Sequence, residues 1–188
     1  MLHGMMTAYL ANDTAAEIWI LPLEDAQNGM VAASGSLKIA TAASETGVIS
    51  LYIAGQRIQV TVVATDTPAA IVGALVAAVN GRAALPVMAQ VDAKEADTVT
   101  LTAKNKGAHG NGIDLRMNYQ GRAGGGLTPE GLTFTVTPMA GGAGAPDMNA
   151  ALANLQDRTF DFIVNPYTDT TSLDVLKAFL SDSAGRWA

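Results

Sequence analysis

The chain has 188 residues, enough for one good core or two small ones, and no cysteine, which removes disulfides, thiolate zinc sites and a cysteine nucleophile. Only 15% of its residues are charged, against about 25% in an ordinary soluble domain, so the surface suits burial in an assembly better than free life in solvent. The 11 basic and 17 acidic residues give a net charge of -6 with no basic block, which argues against a surface that tracks nucleic-acid phosphates.

No uninterrupted apolar run is long enough to span a bilayer. The start, MLHGMMTAYLAND, lacks the charged head and apolar stretch of a cleaved signal peptide. Met5, Met6, Tyr9 and Leu10 recur at helical spacing, and Asn12-Asp13 ends the pattern. Glu17 to Leu21 is too continuously apolar for a two-sided surface. It predicts a strand covered on both faces, as in a parallel sheet, and Pro22 closes it.

From Gly29 the pattern turns to strands. Ser36 to Ala40 is a short one. Gly47 to Val63 reads as a hairpin, with Gly55 supplying the turn and Ile58, Val60 and Val62 alternating with Arg57, Gln59 and Thr61. A helix follows, capped by Asp66 or Thr67, with Pro68 in its first turn and Asn80-Gly81 at its end. Its stripe is Ile71, Leu75, Ala78 and Val79, with Val72 and Val76 beside it. Strands resume at Val87 to Val91, Thr98 to Ala103, Ile113 to Tyr119 and Leu132 to Thr137. The glycine-rich stretch 121–131 reads as mobile or splayed, and MAGGAGAP at 139–146 as a linker.

The last block is helix, strand, helix. Asp147 caps a helix through Leu152 and Leu155, and Phe160 to Val164 is an apolar strand stopped by Asn165-Pro166. Thr171, with Asp174 three residues on, caps a final helix whose packing face is Leu173, Leu176, Phe179 and Leu180 and whose end is marked by Gly185. The two ends therefore match each other around a different middle. The fold class is α/β: an interrupted α/β sandwich layer, helix-strand then helix-strand-helix, with an inserted β-rich domain containing one helix. The boundaries are 1–28 with 146–188 for the discontinuous α/β domain and 29–145 for the insertion.

The groups able to carry chemistry are few. His3 lies near the start, and His109 sits in the loop KNKGAHGNG without a second histidine or an acid at ligand spacing, so neither reads as a metal ligand. No serine sits in a nucleophile elbow that would pair with His109. Asp92, Glu95 and Asp97, in DAKEAD, read as a solvated hairpin turn. Gly107, Gly110 and Gly112 lack the spacing and ending of a phosphate loop and precede a strand. Asn165, Tyr167 and Asp169 lie where an α/β sheet often places its ligand edge, and the plainer reading is that they lock a corner and cap a helix. A glycan- or receptor-binding platform would need exposed aromatics, and the middle offers chiefly Tyr52, Tyr119 and Phe134. The expectation is a protein that is not an enzyme, with no catalytic, cofactor or metal residues.

The stretches LYIAGQRIQVTVVATDTPAAIVGALVAAVN, VTLTAKNKGAHGNGIDLRMNY, LTFTVTPMAGGAGAPD and FDFIVNPYTDTTSLDVLKAFLSDSAGRW together resemble the tail sheath proteins of Mu-like bacteriophages and prophages. The resemblance spans almost the whole chain, and its extent weighs more than any single motif. It implies a structural subunit of a contractile tail sheath: a helical cylinder around the tail tube whose contraction drives the tube through the host envelope. The implied partners are neighbouring sheath subunits, tube and baseplate proteins, with no nucleic acid and no membrane span. The implied place is the virion, after production in the host cytoplasm. Family members are longer, so the chain corresponds to an internal fragment ending after Trp187, expected to be monomeric by itself. The alternatives are a surface-exposed receptor- or glycan-binding module and a noncontractile tube or baseplate protein.

Overall fold

A computed structural model describes residues 2–24, 29–156 and 158–182. The chain divides into two compact units, one formed by Met1–Met30 with Ala145–Ala188 and the other by Val31–Gly144. Helices mix with antiparallel sheets, an α/β composition.

The unit 31–144 holds both sheets. The first strands are β1 (Ser34–Thr41), β2 (Gly47–Ile53) and β3 (Gln56–Val62). Ala54 at φ 49 and Gly55 at φ 77 form a two-residue turn that pairs Ile53 with Gln56. Two positive φ values in succession match the right-handed twist of the arms, so the hairpin closes tightly. Next come α2 (Pro68–Asn80), β4 (Val87–Val91), β5 (Thr98–Ala103), β6 (Leu115–Met117) and β7 (Thr133–Ala140). The strand order is β4-β5-β1-β7 in one sheet and β3-β2-β6 in the other, with every pair antiparallel.

One core lies between these elements. Alternation along β1 and β3 turns Leu37, Ile39, Ile58, Val60 and Val62 inward, where they meet Ile49, Leu51, Val99 and Leu101. Helix α2 contributes Ile71, Val72, Leu75 and Val79 and touches β1, β3, β4 and β5. Its cap is Thr67, whose hydroxyl accepts from the Ala70 N–H at 3.2 Å, while the Asp66 carboxylate accepts from Val63 N–H at 2.8 Å. At the other end the Asn80 amide pairs with both backbone groups of Ala89, at 2.8 and 2.9 Å. That pair closes the free edge of β4, which otherwise is a template for another strand.

Three local expectations shift. β7 continues past Thr137, because Pro138 falls at an irregularity opposite Gly35 on an edge strand, where its missing N–H interrupts no inner ladder. β6 covers only the middle of 113–119, because Asn118 turns to φ 52. Residues 121–131 fold back on themselves: Gly126 N–H donates to Gly121 O at 2.8 Å, and Gly125 N–H to Arg122 O at 3.0 Å.

The other unit contains α1 (Leu2–Leu10), α3 (Asn149–Ala153) and α4 (Thr170–Phe179). The strands expected at 17–21 and 160–164 are not formed. A strand needs a hydrogen-bonded neighbour, and all ladders among the described residues lie within 31–144. Trp19, Ile20, Phe162, Ile163 and Val164 are accordingly exposed, Phe162 to 78%. The Arg158 guanidinium, two residues before the second segment, sits 3.9 Å from the centre of the Trp19 ring, whose indole N–H donates to Glu17 at 2.9 Å. The α4 cap is Asp169 rather than Thr171, and the helix ends at Phe179 rather than near Gly185. Leu173 and Leu180, expected in its packing face, are exposed, while Val175, Leu176 and Phe179 are half-buried. Gly185 and Trp187 lie outside the described residues.

Candidate functional site

The corner at 165–169 is built from local hydrogen bonds. The Asn165 side chain accepts from Tyr167 N–H at 3.1 Å and donates to Tyr167 O at 2.9 Å, which locks the turn after Pro166. The Asp169 carboxylate accepts from Ser172 N–H at 2.9 Å, and that bond holds its pKa below the ordinary carboxylate value. Asn165 and Asp169 thus spend their polar atoms on the backbone.

The acidic turn 92–97 is similar. Asp92 accepts from the N–H groups of Lys94 and Glu95 at 2.9 and 3.2 Å and from the Thr100 hydroxyl at 3.1 Å. The Lys94 bond and then the Thr100 bond lower its pKa. Glu95 meets Lys38 at 2.7 Å and Asp97 meets the same ammonium at 3.7 Å, across from the middle of β1. Among the described residues no group of three or more His, Cys, Asp or Glu side chains is placed to hold a metal. The side chain of His3 lies outside the described residues.

The aromatic candidates do not form a platform. Tyr52 is 2% exposed on the outer face of β2, and Phe134 is half-buried. Tyr119 alone of the three is exposed; it meets Tyr52 edge-on at 5.9 Å, and the Arg116 guanidinium lies 5.0 Å from its ring centre. The glycine-rich stretch is tied down beside this sheet: Arg57, paired with Tyr52, donates to Gly124 O at 3.0 Å, and Asn118 donates to the Thr128 hydroxyl at 2.8 Å.

The loop KNKGAHGNG carries the arrangement that reaches furthest in sequence. Its root continues β5, where Ala103 N–H donates to Ala33 O and Lys104 N–H to Pro86 O, both at 2.9 Å. The loop then clasps both chain segments at the boundary of the unit. Gly107 N–H donates to Val31 O at 3.0 Å, and Ala108 N–H donates to Gly144 O at 2.9 Å. Val31 and Ala143 exchange two backbone bonds at 3.0 and 3.1 Å. Asn111 completes the set by accepting from Gly142 N–H at 2.8 Å and donating to Gly142 O at 2.9 Å.

Gly107 and Gly142 are required by this geometry. Gly107 has φ 123 and ψ 164, a conformation essentially confined to glycine. A Cβ on Gly142 would stand 2.6 Å from Gly107 O. The turn expected at Gly107, Gly110 and Gly112 is therefore a structural one, with His109 half-buried on the same loop. The reach of Asn111 to Gly142 was hidden in the sequence. The only signal was that two glycine-rich segments, at 107–112 and 141–144, both leave room for a close backbone approach.

No protein-family model matches the chain. It is 38% identical, over 186 residues, to the Mu-like prophage FluMu tail sheath protein of Haemophilus influenzae. The match takes in 99% of this chain and 36% of that protein, so the chain spans little over a third of the length of the curated relative. Across nearly its whole length, this chain is a relative of one segment of a Mu-like prophage tail sheath protein.

Proposed function

We propose that the chain is part of the structural subunit of a contractile phage tail sheath, not an enzyme. The observation that carries this reading is the 38% identity sustained over 99% of the chain, without reliance on a short motif. The side chains support it: the acids and the amide that sequence reading singles out, Asp92, Asn165 and Asp169, hold turns and a helix cap. A sheath works by changing contacts between subunits, so its stored bias needs no nucleotide or cofactor.

In this reading residues 1–28 with 146–188 belong to the sheath core domain and 29–145 form an insertion in it. The division of the chain at 30/31 and 144/145 supports that assignment. The exposed apolar segments around Trp19 and Phe162 then meet strands supplied by the remainder of the longer polypeptide or by neighbouring subunits. The partners are other sheath subunits, the tail tube and the baseplate, and the place is the virion.

The test is a stop codon early in the full-length coding sequence, in a phage or inducible prophage that carries it. Electron micrographs are expected to show particles whose tail tubes lack an outer cylinder, with loss of infectivity. Particles with intact, contractile sheaths would overturn the reading.

A further inference from the structure

The bonds of the clasp differ in kind from those of the core beside it. Leu37, Leu101 and Ile49 are at most 1% exposed, whereas Val31 is 53% exposed and Asn111 lies at the surface. The base of the unit is held by backbone and amide hydrogen bonds, with the small residues Ala33, Gly107 and Gly110 buried beside them, and regions with so few large apolar contacts open without global unfolding. The Asn111 side chain joins the loop to the outgoing segment and engages both backbone groups of Gly142. The incoming segment is held by Val31 O, which accepts from both Gly107 N–H and Ala143 N–H.

We propose that the loop 107–111 is a releasable latch on the base of the unit 31–144, with Asn111 as its catch. Closed, it keeps the two chain segments that leave the unit paired, so that displacement of either is passed to the unit as one block. Open, it frees Val31 O and residues 142–144 from their bonds to the loop, while Ala33 stays paired with Ala103 and the sheets stay folded. A fully extended residue spans at most about 3.5 Å, so the three residues 142–144 give the outgoing segment at most about 10 Å of reach. The inference stands on the geometry of this unit alone and holds whether or not the protein is a sheath subunit.

Amide hydrogen exchange of the whole chain, followed residue by residue by NMR, tests it. In Asn111→Ala, the amides of Val31, Ala108, Gly142 and Ala143 are expected to exchange about tenfold faster, because two hydrogen bonds of ordinary net strength are lost. The amides of the β2–β3 hairpin are expected to keep their rates. Asn111→Asp keeps an acceptor for Gly142 N–H and loses the donor, so a smaller acceleration at the same amides is expected. Unchanged rates at the four amides in Asn111→Ala would overturn the proposal. So would equal acceleration of clasp and hairpin, which would make the base inseparable from the global fold.

Discussion

At the scale of single residues, the polar side chains of this protein act on its own backbone. Asp92, Asp147 and Asp169 each accept backbone N–H groups, and in each the bond lowers the carboxyl pKa. The sign follows from linkage. A carboxyl whose folded pKa is depressed stabilises the fold above its unfolded pKa, and that contribution is lost as pH falls through the folded value. The stabilisation is therefore present from about pH 4 upward and fades below it. Asp169→Ala is expected to cost about 1 kcal/mol at neutral pH, read as roughly fivefold faster amide exchange in the first turn of α4. At about pH 3 the difference from the unaltered chain should shrink; a difference that grows on acidification would contradict the assignment. Sequence alone placed this cap two residues later, at Thr171. The run Asp169, Thr170, Thr171 offers three side chains of capping chemistry, and local pattern does not rank them.

At the scale of elements, what could be read from the sequence is what local pattern determines. The hairpin β2–β3 and helix α2 follow from alternation, a glycine turn and a Thr-Pro start and appear where expected, with the turn tightened to Ala54-Gly55 because Gln56 pairs with Ile53. The segments 17–21 and 160–164 carry strand-like composition but no strand, because a ladder depends on a partner that composition does not reveal. The clasp was illegible for the same reason, since Asn111 and Gly142 lie 31 residues apart. Asn80 is a second such case, an apparent helix terminator that also seals the edge of β4. Asn80→Ala leaves Ala89 N–H and C=O without these partners. It is expected to lower stability by about 1–3 kcal/mol, measured as a fall in urea midpoint with unchanged slope. A variant as stable as the unaltered chain would show that solvent replaces the amide at no cost.

At the scale of the whole molecule, the chain joins a self-contained β-rich unit with its own core to a second unit that presents apolar segments to solvent. Exposed Trp19, Phe162 and Val164 are costly for a free protein and natural for a subunit designed to be covered by more chain or by neighbours. The low charge read from the composition points the same way. The most direct test is electron microscopy of the purified full-length protein, with the tail-tube protein added in a parallel sample. The proposed function predicts hollow helical cylinders, and around a tube a sheath that is found in a long and a shortened form. A full-length protein that stays monomeric in both samples would contradict it.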